Sequence, residues 1–536
     1  INRYIGYKFK NTMEVLATQS IKVNNPIKNT TLYEIDEVSS AQAKDIFDKA
    51  NVVQKNIQAL SVEQRVAEVL KIRDYVIEHS DFILDCIIAE TGKARTDAFA
   101  AEVFEVTDVI DVYTKLAPKQ LKDQKVNWPI FLMEKKSRQF REPLGTVLVI
   151  TPWNFPFYQV IVPGLMSFLA GNATIVKPSE VTPLRPLWEH FFANSGFMKD
   201  AIQVVIGGKE TGSHLLAQKP DKVHFTGSVN TGRKLMEACA KQLIPIDLEL
   251  GGKDPSIVFD DVDIDRTVNG IMWGAFTNAG QNCTGIERLY VQEGIYDQLV
   301  PYLVERTKRL RTSHPNRDTT SPEDCDVGAI TASFQVKVIE DHIEDALAKG
   351  ATLLCGGIQE KGSHHIPPTI FENCNHTMKV ASEETFGPTL AIMKFKTEAE
   401  AIALANDSAY GLSASVWSKD LEKATRVARA IKCGNVCINN HMLNEANPYL
   451  PFGGVKDSGI GRFKGEDGLL VFCNLKSVLI DKQGKLIEPQ WYPYTNSKYK
   501  LLHAVMLSWF GKTRNWFKFI ANVLPLDGIG NKERFK

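Results

Sequence analysis

At 536 residues with 44% hydrophobic side chains, the chain can bury large cores and is long enough for two or three structural units, which excludes a disordered protein. Lys+Arg and Asp+Glu stand at 63 each, so no global field draws the protein onto nucleic acid, and no nucleic-acid partner is expected. The nine cysteines are scattered and lack paired CxxC spacing, which argues against a disulfide framework or structural zinc site and for a reducing intracellular compartment, read here as cytoplasmic.

The chain opens at Ile1 and its first methionine is Met13; the opening residues carry no secretory-signal pattern, and an upstream targeting or anchor segment is compatible with this start. From about residue 40 to 115, apolar residues recur at three and four, as in Val66, Val69, Leu70, Ile72, Val76 and Ile77, which predicts successive amphipathic helices. Residues 144–176 carry no charge and are long enough to span a bilayer. Pro152, Asn154, Pro156, Pro163, Gly164, Gly171 and Asn172 break that stretch into a strand, a turn, a buried helix and a second strand. Short β-branched runs at 146–150, 174–176, 203–206 and 223–225 then alternate with helical stretches, the pattern of a parallel sheet with crossover helices. Ligands of such sheets bind beyond the carboxyl ends of the strands, so the loops at 152–157, 178–180, 207–212 and 226–228 are the places to look for chemistry.

After Gly251 a second alternation follows, with strands near 256–259, 289–292 and 389–395 and helices near 296–312 and 336–349. Residues 466–481, ending in alternating Leu475, Ser477 and Leu479, read as an extended arm with 124–141 as its partner. Beyond Trp491 eight Lys/Arg face only Asp527 and Glu533, and Trp509, Phe510, Trp516, Phe517 and Phe519 interleave with Lys512, Arg514 and Lys518. A basic aromatic helix suits a membrane surface; a helix packed on the body or on a partner subunit is the competing reading.

Four local patterns carry chemistry. Gly280-Gln-Asn-Cys283 sets a cysteine beside amide donors, as a thiolate attacking a carbonyl needs; alone, such a cysteine is more often a buried apolar residue. Leu248-Glu249-Leu-Gly-Gly-Lys253 puts an acid in an apolar strand, where burial would suit it to act as a general base, unless it sits on an exposed edge. Phe225-Thr-Gly-Ser228 ends a strand at a helix start open to a pyrophosphate, or is an ordinary capped helix. Lys177-Pro-Ser-Glu180 offers a cation and a carboxylate to a ribose, or is a solvated strand end. No GxGxxG or GxxxxGK[ST] is present. Cys433 and Cys437, four apart, read as core residues rather than ligands, and His224, His364 and His365 have no matching cluster.

In order and spacing, these patterns together with Thr151-Pro-Trp-Asn-Phe-Pro156, Glu383-Glu-Thr-Phe-Gly-Pro388 and Pro451-Phe-Gly-Gly454 closely resemble the aldehyde dehydrogenase superfamily over about residues 40–481. The resemblance implies an α/β fold of two doubly wound domains plus a small β oligomerisation arm. A cofactor domain would span 22–123 and 144–250, a catalytic domain 251–464, the arm 124–143 and 465–485, and a basic aromatic tail 486–536. It implies NAD(P)-dependent oxidation of an aldehyde to an acid, with Cys283 as nucleophile, Glu249 as base and Asn154 in the oxyanion hole. For the cofactor it implies Thr151, Pro152, Trp153, Lys177, Ser179, Glu180, Gly208, Gly212, Phe225, Thr226, Gly227, Ser228, Leu250, Gly251, Glu384 and Phe386. Among these Lys177 and Glu384 would hold ribose hydroxyls, and Glu180 would favour NAD over NADP. For the substrate it implies Phe155, Tyr158, Gln159, Val162, Asn282, Thr284 and Phe452, and no metal.

The context Asn282-Cys-Thr-Gly-Ile-Glu-Arg288 and the tail are similar to membrane-associated members of fungi and plants, which implies attachment to the cytosolic face of a membrane; the arm implies a homodimer or homotetramer. A competing class is a catalytically idle dinucleotide-binding scaffold recruited through the tail.

Overall fold

The computed structural model describes residues 20–132, 134–317, 319–321, 323–482 and 488–532. The opening residues considered for a signal, and Glu533, lie outside the described residues. The described chain begins with an antiparallel strand pair, Ile21–Asn25 and Thr30–Ile35, which the helical reading from residue 40 did not anticipate. Helices Ser40–Ala59, Val62–Glu78, Ser80–Thr91 and Glu105–Gln120 follow. Ser39 and Ser61 open the first two with reciprocal capping boxes to Gln42 and Gln64, satisfying backbone donors that a helix start leaves free. Val69, Ile72 and Val76 turn into the core as the periodicity requires, whereas Ile77 lies exposed.

Six strands form the first sheet, in the order Gly459–Ile460, Ile246–Glu249, Lys222–Thr226, Thr146–Ile150, Ala173–Lys177, Ile202–Val204. All pairings are parallel except that of Gly459–Ile460 with Ile246–Glu249. The uncharged stretch folds as strand, turn, buried helix Tyr158–Leu169 and strand. Burial of every side chain of that helix from Val160 to Leu169 accounts for its unbroken hydrophobicity. The order reverses between Thr146–Ile150 and Lys222–Thr226, which opens a crevice at their carboxyl ends.

The second sheet has seven strands, in the order Thr352–Cys355, Thr369–Glu372, Thr389–Phe395, Ile286–Gln292, Asp254–Val258, Ser413–Trp417, Asn435–Ile438, parallel except for its first strand. Each sheet carries its own apolar core. Phe463, Leu469 and Phe472 belong to the core of the first sheet although they come after the whole of the second. Residues expected to begin the extended arm therefore fold otherwise: Gly468–Phe472 is a short 3-10 helix whose Leu469 and Phe472 are buried.

Residues 123–140 and 475–536 form a separate compact unit. A three-stranded sheet runs Cys473–Ile480, Lys136–Pro143, Gln124–Val126, with the first of these as an edge. Within this unit Lys135 is ion-paired to both Asp481 and Glu488. Helices Asn496–Phe510 and Trp516–Lys532 form a hairpin packed on Val505, Phe519 and Leu526, with Ile130 against them. Among the described residues no helix is long and apolar enough to cross a membrane.

Candidate active site

The two sheets of the larger unit present opposite ends to one place. Glu249 closes a strand of the first sheet, and after Leu250, Gly251, Gly252 and Lys253 the chain starts a strand of the second at Asp254. Cys283 stands just before the strand Ile286–Gln292, and Glu384 and Phe386 just before Thr389–Phe395. The first sheet thus contributes its carboxyl ends, as expected, and the second contributes its strand starts, which periodicity alone does not reveal.

The loop before Cys283 is sharply folded. Asn278, Ala279 and Gly280 are all left-handed, with φ of 51°, 54° and 70°. A side chain at Gly280 would strike the backbone of Gly387, so the cysteine loop lies directly against the loop of Phe386. Asp97 anchors the fold by accepting from the Asn278 N–H and the Thr277 hydroxyl, both at 2.8 Å, and Gln281 donates to the carbonyls of Asn278 and Ala329. Cys283 is left partly accessible, with Sγ 3.8 Å from Asn282 Oδ1. Burial, then the carboxylates of Glu445, Asp254, Glu384 and Glu249, push its thiol well above the usual range.

Glu249 is 5% exposed and neither carboxyl oxygen has a hydrogen-bond partner among the described residues. Burial first, then Asp247, raise it well above the usual carboxylate range, against opposing pulls from Arg462 and Lys464. Three residues on, a Cβ on Gly252 would come within 2.5 Å of the Cys283 carbonyl oxygen, which sets the end of the Glu249 strand against the cysteine loop. Asn154, 4% exposed, reaches the same loop, its Nδ2 donating to the Gln281 carbonyl at 3.0 Å. Its own carbonyl accepts from Lys93 Nζ at 2.7 Å, and Lys93 is paired with Glu102, whose other oxygen accepts from the Phe157 N–H at 2.8 Å. That fully buried pair holds the Asn154 turn, and sequence reasoning missed it because neither residue lies in a recognisable pattern.

On the other side of the cysteine, the Glu384 carboxylate lies over Gly251 and Gly252, accepting from the Gly252 N–H at 3.1 Å. Burial raises it to about 8. The Phe386 ring meets Trp153 edge-on at 5.3 Å. Thr151 is buried and its hydroxyl has no hydrogen-bond partner among the described residues, and Pro152 and Trp153 beside it are half-buried. Lys177, buried at its strand end, donates to Glu180 at 3.1 Å, and Ser179 is half-buried beside them. Ser228 is exposed at the start of helix Val229–Ala240, with the Thr231 N–H donating to its side chain. Gly227 donates to the Glu249 carbonyl at 3.0 Å, with Phe225 and Leu250 buried and Thr226 half-buried around it. Gly208 is placed differently: at the start of helix Lys209–Leu216 its N–H, with that of Thr211, already donates to the Glu37 carboxylate. Gly212, one turn on, faces the Lys177 side chain.

Of the residues expected to face the substrate, Phe155 and Gln159 are half-buried, Tyr158 and Phe452 are buried, and Lys93 Nζ stands 4.3 Å from the centre of the Phe155 ring. Val162 departs from the expectation: it has no exposed surface and belongs to the core of the first sheet. Thr284, 1% exposed, braces the loop: its backbone N–H donates to Asn282 Oδ1 at 3.1 Å and its hydroxyl donates to Glu445 at 2.5 Å, while Asn282 turns its amide to Met442. Among the described residues there is no group of side chains able to hold a metal ion.

The profile of the Aldehyde dehydrogenase family matches residues 15–478. The chain is 40% identical over 443 residues to a 4,4'-diapolycopene aldehyde oxidase of Methylomonas sp, covering 82% of each chain. It is 35% identical over 449 residues to the betaine aldehyde dehydrogenase of Bacillus subtilis, covering 82% of this chain and 88% of the relative. Among solved structures, the putative aldehyde dehydrogenase PutA from Anabaena variabilis superposes with a TM-score of 0.82 at 34% identity, over 89% of this chain and all of the other. A betaine aldehyde dehydrogenase of Staphylococcus aureus in complex with NAD+ gives 0.81 at 31% identity, over 89% and 96%.

Proposed function

The chain belongs to the aldehyde dehydrogenase family, and from that premise we propose that Cys283 is its nucleophile, Glu249 its deacylation base and Asn154 the side-chain donor of its oxyanion hole. The reaction is the NAD(P)-dependent oxidation of an aldehyde to a carboxylic acid. Cys283 gives up its thiol proton to solvent, its Sγ bonds to the aldehyde carbon, and the oxyanion so formed accepts from Asn154 Nδ2 and the Cys283 backbone N–H. Bound nicotinamide dinucleotide supplies the hydride acceptor for the oxidation that leaves a thioester on Cys283. Glu249 then takes a proton from water as its oxygen adds to the thioester carbon, and collapse returns the thiolate and releases the acid. One observation carries this reading above the others: a buried carboxylate without a hydrogen-bond partner, next to a cysteine loop, is a costly arrangement that a base awaiting its water explains.

The crevice suits a dinucleotide. The unpartnered Thr151 hydroxyl, the exposed helix start at Ser228, the Lys177–Glu180 pair and Glu384 supply donors and acceptors for ribose and pyrophosphate. Glu180 favours NAD over NADP by repelling a further phosphate, though its pairing with Lys177 offsets part of that charge. An idle scaffold would be free to lose Cys283, Glu249 and Asn154, and the chain keeps all three. The larger unit divides into a cofactor domain around the first sheet and a catalytic domain around the second.

The protein forms a homodimer or homotetramer, a reading supported by the edge strand Cys473–Ile480, which exposes Leu475, Leu479 and Ile480. The tail hairpin attaches it to the cytosolic face of an anionic membrane: Phe510, Trp516 and Phe517 are 66%, 55% and 89% exposed amid Lys512, Arg514 and Lys518.

An aldehyde panel assayed with NAD and NADP tests the main reading. Cys283→Ala should abolish NADH production, and Glu249→Gln should leave an acyl adduct on the peptide holding Cys283, visible by mass. Full turnover by either variant would overturn the roles assigned. Because burial raises the Glu249 carboxyl well above the usual carboxylate range, turnover limited by deacylation should rise as pH rises and this carboxyl ionises.

A further inference from the structure

Three neighbouring strands of the second sheet, Thr389–Phe395, Ile286–Gln292 and Asp254–Val258, start side by side, and a buried cluster joins their starts. Lys253 immediately precedes the last of these strands, Glu287 is the second residue of the middle one, and Thr385 and Phe386 lead into the first. Lys253, Glu287 and Thr385 are all buried. Glu287 Oε1 accepts from the Phe386 N–H at 3.0 Å, while Oε2 accepts from the Thr385 N–H at 2.8 Å and from the Lys253 ammonium. Lys253 also donates to the Thr385 hydroxyl oxygen at 3.1 Å, which leaves the hydroxyl proton for His342 Nδ1, 3.0 Å away. Gln335, on the same helix Ser333–Ala348 as His342, donates to the Thr385 carbonyl at 2.7 Å.

Glu287 follows Cys283 by four residues, yet its bonds run to the segment that carries Glu384 and Phe386. That segment is strained: Phe386 has a φ of 49°, and a bulky residue in the left-handed region persists only where its surroundings fix it. Its shape also sets two walls of the crevice, since the Phe386 ring meets Trp153 and Gly387 lies against the cysteine loop. A carboxylate suits the task because both of its oxygens accept, whereas an amide offers one. The other charged groups here are already engaged: Arg288 donates to the carbonyls of Lys253, Leu404, Ala405 and Asp407 and to the Tyr290 hydroxyl, and Glu384 accepts from Gly252. Lys253 is therefore the countercharge that buried Glu287 requires.

We propose that Glu287 is a positioning residue for the dinucleotide: its two carboxylate oxygens hold the Thr385 and Phe386 N–H groups so that Glu384 and Phe386 face the nicotinamide end of the bound cofactor. The proposal rests on the dehydrogenase reading and adds to that site a residue that acts through its neighbours rather than by touching substrate.

The test titrates the full-length protein with NADH in the absence of aldehyde, following the fluorescence of the bound nicotinamide. Lys253→Met combined with Glu287→Leu removes both charges together, an exchange that buried pairs tolerate, and leaves the two N–H groups without their acceptor. NADH should then bind about tenfold more weakly, and KM for NAD should rise in step while KM for the aldehyde stays unchanged. Glu287→Gln keeps one acceptor and should weaken NADH binding by about threefold. Wild-type NADH affinity in the double variant, or a KM for the aldehyde that rises as far as that for NAD, reduces the cluster to a structural ion pair and overturns the proposal. If the double variant does not fold, the Glu287→Gln titration decides alone, and wild-type affinity there overturns it equally. A wild-type protein that binds no NADH would sink the dehydrogenase reading and this proposal with it, an outcome distinct from a loss or its absence in the variants.

Discussion

The pocket around Cys283 and the hairpin at 496–532 break the rules of folding in opposite directions. Among the described residues the pocket buries polar atoms without hydrogen-bond partners: both oxygens of Glu249, the Thr151 hydroxyl and Asn154 Oδ1. The hairpin exposes apolar surface without cover: Leu507, Phe510, Trp516, Phe517 and Leu524 are each more than half exposed. Each arrangement costs stability, the first through lost hydrogen bonds and the second through wetted hydrocarbon. On the proposed function, small molecules that enter complete the pocket and a membrane surface would cover the hairpin.

Short of removing the nucleophile, the largest expected effect comes from removing a donor on the pocket side. Asn154→Ala should lower kcat by about 10²–10³-fold, the loss usual for one oxyanion donor, with stopped-flow assays showing the loss in the first turnover. An unchanged first turnover would move the oxyanion elsewhere. A smaller effect tests the claim of cost directly: Glu249→Leu should end deacylation yet raise unfolding free energy by about 1–3 kcal/mol, since a buried, unpaired carboxyl is replaced by an apolar group. Loss of stability in denaturant titration would mean that Glu249 is better satisfied than the pocket geometry indicates. The same carboxyl gives the pH sign. Its folded pKa lies above the unfolded value, so the stability it contributes is full below the unfolded pKa and is lost as pH rises through the folded one; Glu249→Leu should remove that loss.

The smallest effect on the fold is expected in the hairpin. Phe517→Ser with Phe510→Ser should change unfolding free energy by no more than about 0.5 kcal/mol, because both side chains are exposed. The same pair should weaken sedimentation with anionic vesicles, and added salt should weaken it further. Sedimentation equal to that of wild type would leave the hairpin as a packing element only.

Much of this was legible in the sequence wherever the signal is local. The strands 146–150 and 389–395 and the chemistry-bearing patterns at Asn154, Glu249 and Cys283 are each written in a few consecutive residues. What escaped depends on contacts between distant residues. Glu105 and Lys464 are separated by 359 positions, and neither stands out until the fold brings them together. Val162, which the resemblance places at the substrate mouth, is fully buried in a helix buried on nearly every side, a depth that the sequence does not show. Gly208 looks like an open helix start until Glu37, from the segment before the first long helix, is seen to take its N–H. The 3-10 turn Gly468–Phe472 was read as extended because a short apolar run does not distinguish the two.

The antiparallel pairing of Gly459–Ile460 with Ile246–Glu249 bears on how the protein is made. The first sheet emerges from the ribosome with its outer strand bare, and its core still lacks Phe463, Leu469 and Phe472. At roughly 5–20 residues per second, the interval before those residues appear is about ten to forty seconds, during which an apolar edge stands open to other nascent chains. Truncation anywhere before Phe472 therefore leaves the earliest-translated layer unfinished, so a premature stop late in the message should yield aggregated rather than merely inactive protein.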